Sequence, residues 1–261
     1  MIYKRIKEIG KTLLAFCDLE LSRKSTLPIY ANEKYRSEIR FWKRTLKDYS
    51  AWYAGELPIL YGEPPPKDSD KVTVFSNDFN PIVTWELAHQ RKKYLEDLKL
   101  DAHVFAGMNI LDVGSGPHPS ALAFTNCQVY SLDPLLPLYM QAGFPIHIYE
   151  DRLKFVFGFS EKIPFGDNFF DAVISVNAID HVDDFSLTAN EIKRVLRPDG
   201  LLRLHIHYHI KTKSEPLELN DDIVQKAFEG LKGFVKISES KNKWGSRVND
   251  EDELYTLWSN F

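Results

Sequence analysis

The first periodic signal in the chain is helical. Ile2, Ile6, Ile9, Leu13 and Phe16 recur at three- and four-residue steps, which predicts an amphipathic helix over residues 1–24. Lys4, Lys7 and Lys11 fall off that stripe. Such a helix suits internal packing, and its basic face would also suit a membrane surface or a second subunit. Beyond Pro28, a second helical stripe runs through Tyr35, Ile39, Trp42, Leu46, Tyr49 and Trp52 or Tyr53. It is strongly aromatic, fit either for a core or for a wall over a pocket. Gly55, Pro58, Gly62 and the three prolines at 64–66 make residues 55–71 a loop. A short strand is expected at 72–75. Pro81 in a first turn, with Asn80 as its cap, predicts a helix near 82–98.

From residue 108 the period changes. Short apolar runs predict strands at 108–113, 128–132, 154–157, 171–176, 200–208, 233–239 and 253–259. Helices are expected near 119–125, 135–142, 184–196 and 220–230. Strands alternating with helices indicate an α/β domain with a parallel sheet and crossover connections. A loop, 241–252, joins the last two strand candidates, so a closing antiparallel strand is expected.

Composition narrows the class. The 261 residues are 44% hydrophobic, enough for a substantial core, and carry 17 Phe, 12 Tyr and 5 Trp. A net charge of −4 argues against a nucleic-acid footprint, which is usually basic. Two cysteines, Cys17 and Cys127, supply neither a disulfide framework nor a metal-ligand spacing. No apolar run approaches the roughly 18 residues of a membrane span. Residues 1–8 are charged and lack a secretory apolar core, so a soluble cytoplasmic protein is expected.

Chemistry concentrates after the first long strand. Asn109-Ile110-Leu111-Asp112-Val113 runs into Gly114-Ser115-Gly116, an apolar strand ending in an acid and a tight glycine turn. Glycine lets a ligand lie directly against the backbone there. Asp133 ends the next strand, at the spacing where a carboxylate can accept both ribose hydroxyls of a nucleoside cofactor. The turn resembles the first motif of the class I S-adenosylmethionine-dependent methyltransferases, with His118 standing where a third small residue is usual. Gly158-Phe159-Ser160-Glu161-Lys162-Ile163-Pro164-Phe165-Gly166-Asp167-Asn168-Phe169-Phe170-Asp171 resembles the same family's third segment. Glu191-Ile192-Lys193-Arg194-Val195-Leu196-Arg197-Pro198-Asp199-Gly200 resembles its hinge into the fifth strand. The likeness covers residues 105–261.

That resemblance implies a Rossmann-like seven-stranded, mostly parallel sheet with one antiparallel strand. A helical N-terminal extension or cap (1–100) would precede a methyltransferase domain (101–261). It implies S-adenosylmethionine as cofactor. Gly114, Ser115, Gly116 and Asp133 would bind it, with Asp112 orienting its amino-acid end. Phe159 replaces the acid that receives the adenine amine in the family, so Ser160 or Glu161 would substitute, or apolar walls would hold the base. Asn177, at the end of the fourth strand, would orient cofactor or acceptor. The implied reaction is methyl transfer to a small polar acceptor, a hydroxyl or an amine.

His181 is the candidate general base, since imidazole exchanges a proton near neutral pH. His205, His207 and His209 alternate on one strand face, where a metal site is conceivable but ordinary sheet residues are the commoner reading, with His209 nearest the pocket; Asp180, Asp183 and Asp184 could suggest Mg²⁺ but are read as a solvated cap. No metal is therefore expected. The rivals are an RNA methyltransferase and a non-catalytic cofactor-binding protein. A nicotinamide-dependent oxidoreductase fits less well, because Pro119 occupies its third glycine position. Nothing in the sequence specifies an oligomeric state.

Overall fold

Seven strands make one sheet in a computed structural model that describes residues 32–71, 73–74, 78–79, 81–146, 149, 151–212, 215–241 and 254–260. The helix expected over 1–24, Cys17 and the Asn80 cap lie outside the described residues. A two-residue hairpin, β1 (Thr73–Val74) and β2 (Asp78–Phe79), precedes the sheet. The sheet strands are β3 (Asn109–Val113), β4 (Gln128–Asp133), β5 (Leu153–Phe157), β6 (Phe170–Val176), β7 (Leu196–Tyr208), β8 (Val235–Ser240) and β9 (Leu254–Ser259). Their spatial order is β5-β4-β3-β6-β7-β9-β8. β9 alone is reversed, pairing antiparallel with both β7 and β8. Chain order runs outward from β3 to β5, then returns to add β6 on the other side of β3. That reversal is the topological switch point, where ligands settle outside the carboxyl ends of the strands.

The helices follow from the periodicities. α1 (Glu33–Tyr53) buries Tyr35, Tyr49 and Trp52 on one face, and Asn32 caps it by accepting the Lys34 amide at 3.0 Å. α2 (Pro81–Trp85) passes through a π turn (Glu86–Gln90) into α3 (Arg91–Leu98), where a single unbroken helix was the expectation. α4 (Leu136–Ala142), α5 (Phe185–Val195) and α6 (Asp221–Ala227) lie where strands and helices alternate. The helix expected near 119–125 is instead one 3-10 turn, Ser120–Ala123. Pro119 begins it, and Phe124 is already extended, so there is no room for a second turn.

Three apolar clusters result. α5 and α6 cover one face of the sheet through Phe185, Ala189, Ile192, Val224 and Phe228. Tyr94 and Leu98 of α3 cover the other, against Ile110, Val129, Ala172 and Ile174. Tyr49, Trp52, Trp85, Leu135, Tyr139 and Phe144 form a third, aromatic cluster that docks α1 and α2 onto α4. Trp52 fixes the docking further by donating its indole N–H to the Pro64 carbonyl at 2.9 Å. Residues of α3 thus belong to the sheet's own packing, while α1 sits over its edge. No helix among the described residues is long and apolar enough to cross a membrane.

Candidate active site

A cavity of about 650 Å³ opens at the switch point, within the usual range for small-molecule sites. Its floor is the turn after β3. Gly114 and Gly116 both have positive φ, +71° and +63°. A Cβ on Gly114 would stand 2.3 Å from the Cβ of Ala178, so glycine is what lets the turn approach the loop after β6. A Cβ on Gly116 would meet the Trp42 ring at 3.4 Å, because α1 lies directly over the turn.

Asp133 stands beside the turn and lines the cavity. Its two oxygens accept the Gly116 amide at 2.9 Å and the Leu135 amide at 2.7 Å. Burial pushes its carboxyl up to about 7, although those two amides pull the other way. Ser115 also lines the cavity, its hydroxyl donating to the Gly116 carbonyl. Asp112 does not line it. The carboxyl is fully buried beneath the floor, accepts the Tyr94 hydroxyl, and is pushed up to about 7 by burial. Tyr94 does reach the cavity, so Asp112 bears on it through that phenol.

His118 explains its own departure from the family's pattern. It is buried edge-on between Trp42 and Phe144, with Nε2 2.8 Å from the Tyr49 hydroxyl. Burial pushes it down to about 3, so it is a neutral ring packed under α1.

The walls come from two further loops. Phe159, Ser160 and Glu161 follow β5, and all three line the cavity. Glu161 also accepts the Asp183 amide at 2.7 Å, tying its loop to the entrance of α5. After β6, Asn177 adopts a left-handed backbone, φ 48°, and its carboxamide oxygen lies 3.0 Å from Nδ1 of His205. The chain then makes the 3-10 turn Ile179–His181. That turn aims His181 into the cavity among three carboxylates: Asp180 and Glu215 at 3.7 Å and Glu38 at 3.9 Å.

The fold therefore gathers Gly114, Ser115, Gly116, Asp133, Ser160, Glu161, Asn177 and His181 around one cavity and leaves Asp112 below it. Sequence reading overlooked Glu38, Tyr94, Asp97 and Glu215, which line the same cavity. Glu38 and Trp42 stand one helical turn apart on α1, with the indole N–H donating to Glu38 at 2.9 Å, so the aromatic stripe did mark the right face. Glu215 carries no such signal; only the loop after β7 brings it there. Asp180, read as a solvated cap residue, is buried instead, because the 3-10 turn points it inward.

Residues 111–204 match the family described as the methyltransferase domain. A sterol 24-C-methyltransferase of Gibberella zeae is 37% identical over 108 residues, 38% of this chain and 27% of that protein. An uncharacterized methyltransferase of Mycolicibacterium paratuberculosis is 38% identical over 98 residues, 37% of this chain and 38% of that one. The chain spans about a quarter to a half of the length of the curated relatives it matches. Among solved structures, Haemonchus contortus phosphoethanolamine N-methyltransferase 2, in complex with phosphomonomethylethanolamine and S-adenosylhomocysteine, shares the fold. Its TM-score is 0.52 at 16% identity, over 64% of this chain and 52% of that chain. The stretch from Leu111 to Leu204 is thus similar to the methyltransferase domain, and the sheet shares the fold of a solved methyltransferase.

Proposed function

We propose that the protein transfers a methyl group from S-adenosylmethionine to a small polar acceptor held under α1. The observation that carries this is the single cavity shared by the Gly114–Gly116 turn, Asp133 and His181. The glycine turn supplies bare backbone on the floor. Asp133 keeps unused lone pairs beside its two amide bonds and is placed to accept ribose hydroxyls. Phe159 and Leu132 offer apolar walls for the adenine, and Ser160 and Glu161 its polar contacts. The carboxylates of Glu38, Asp97, Glu161 and Glu215 outnumber the two lysines, Lys34 and Lys93, around the cavity. That balance favours a cationic ligand.

The bound cofactor supplies a methyl already activated on a sulfonium. The protein's part is then alignment of the acceptor, which is proximity catalysis. Where the acceptor is a hydroxyl, His181 takes its proton, held in orientation by Glu38, Asp180 and Glu215. An amine acceptor needs no such base, only to be neutral.

Calorimetry with S-adenosylmethionine tests the reading. Micromolar-range binding is expected, and Asp133→Ala should cost about 2–3 kcal/mol, the worth of charged hydrogen bonds to ribose. A cofactor analogue without ribose hydroxyls should bind variant and wild type alike, which separates lost ribose contacts from a disturbed turn. Absence of cofactor binding overturns the proposal. Once an acceptor is found, His181→Ala should lose about 10²–10⁴ in kcat if that acceptor is a hydroxyl, with cofactor affinity barely changed. A non-catalytic binding protein would bind the cofactor and turn over none of the acceptors tried.

A further inference from the structure

We propose that Asp180, His207, His209 and Glu215 form a binding site for one divalent transition-metal ion of the zinc class, bordering the cavity at Glu215. The four side chains come from three separate stretches of chain, and their donor atoms all lie within 4.8 Å of one another. β7 supplies His207, and His209 follows just past its end. The strand's two-residue period sets His207 and His209 on one face, with ring centroids 4.7 Å apart. The 3-10 turn after β6 delivers Asp180, and the loop after β7 returns with Glu215.

Asp180 is the independent observation. It is 1% exposed, and neither carboxylate oxygen makes a hydrogen bond among the described residues. Its nearest imidazole nitrogens are Nε2 of His209 at 3.4 Å and Nε2 of His181 at 3.7 Å. A buried carboxylate is costly unless it is paired, hydrogen-bonded or bound to a metal. The imidazoles are oriented as metal ligands are. Nδ1 of His209 lies 2.7 Å from the Ile210 carbonyl, which can only accept, so Nδ1 carries the proton and Nε2 is the atom turned to Asp180. The His207 ring lies flat on Tyr255 of β9, centroids 4.4 Å apart and planes 5° apart, which fixes its plane. Glu215 is braced by the Thr212 hydroxyl, which donates to its Oε2 at 2.8 Å, while Oε1 lies 3.7 Å from Nε2 of His181.

Donor type and spacing select the ion. Ligands at about 2.1 Å in a tetrahedron stand about 3.4 Å apart, the separation already present between Asp180 and His209. Two imidazoles suit zinc, iron, cobalt or nickel better than magnesium or calcium, which take oxygen shells. Two carboxylates with two neutral imidazoles balance a divalent charge.

The alternative is a metal-free ion pair between Asp180 and His209, and the test separates the two. The full chain is stripped with chelator, dialysed, and titrated with zinc chloride by calorimetry, and with cobalt(II) by visible spectroscopy. One ion per chain is expected, with a rise in Tm and the visible bands of low-coordinate cobalt. His207→Gln and Glu215→Gln, each checked by circular dichroism, should weaken zinc by at least about 100-fold, the upper end for losses of supporting contacts. Glu215 is half-buried on a loop, so its variant keeps the test open should the strand variant misfold. Absence of stoichiometric binding, or equal binding in folded Glu215→Gln, overturns the site in favour of the ion pair. Cofactor titration on the same samples reports separately on the methyltransferase reading.

Discussion

Asp112 shows how one buried side chain sets a measurable pH dependence. Its carboxyl is pushed from 3.8 up to about 7, by burial first, against the Tyr94 hydroxyl that favours the ion. Between those values the folded chain keeps a proton that the unfolded chain has released. Its contribution to stability is therefore full below about pH 4 and is lost as pH rises through about 7. Asp112→Asn cannot titrate and still accepts from Tyr94. The stability of the variant relative to wild type should rise from pH 4 to 7 and level off above, in urea denaturation of the cofactor-free protein. A pH-independent difference would mean that Asp112 is ionised throughout. His181 and Asp180 teach the complementary point: adjacent in sequence, they are sent by one 3-10 turn to different places, one into the cavity and one into the interior.

The turn after β3 carries the most consequence among the elements. Val113 and Ser175 tie β3 to β6 through a hydroxyl-to-carbonyl bond of 2.8 Å, while Gly114 and Ser115 donate their amides to Leu132 of β4. The turn is thus held from both neighbouring strands. Gly114→Ala would need an L side chain at φ +71° and a Cβ 2.3 Å from that of Ala178. Backbone strain alone costs about 1–3 kcal/mol, and the clash adds to it. Chemical denaturation should show a loss of at least that size, with cofactor affinity falling too, since Asp133 holds Gly116. Alanine at Gly55, which has nothing within 4 Å of its Cβ, serves as the control; its φ of +78° carries the strain without the clash.

Across the whole molecule, α1 bridges the cavity. Lys34 pairs with Asp183 at 2.7 Å on one side, and Trp42 rests on Gly116 and His118 on the other. The exposed Asp183 makes that pair a weak tether, worth about 0–1 kcal/mol. The aromatic cluster around Trp85 is the stronger anchor, and it lies at the far end of the helix. The first half of α1 also supplies most of the helix's cavity lining, through Lys34, Glu38, Trp42 and Thr45. Binding of S-adenosylhomocysteine should slow amide exchange in residues 33–45 more than in 46–53. Equal protection along the helix, or none, would remove α1 from the role of a lid.

The succession of strands and helices, the reversed last strand, the aromatic helix and the glycine turn were all legible in the sequence, whereas the spatial order of the strands came from the structure. Each legible feature depends on local signals, namely two- and three-to-four-residue periods, breakers and short motifs, that no distant contact overrides. The acids at 112 and 133 were legible as strand ends for the same reason. Burial and partners were not. Nothing local says that Asp112 faces Tyr94 rather than the cavity, because α3 closes over it from another part of the chain. His118 looked like a defect in a glycine motif; its function as a neutral packing ring requires α1 above it. His207 and His209 looked like ordinary sheet residues, because a period of two specifies which face they share and not what that face meets. The return of the loop bearing Glu215, and the inward turn of Asp180, depend on contacts between stretches about 30 residues apart, and those only tertiary packing decides.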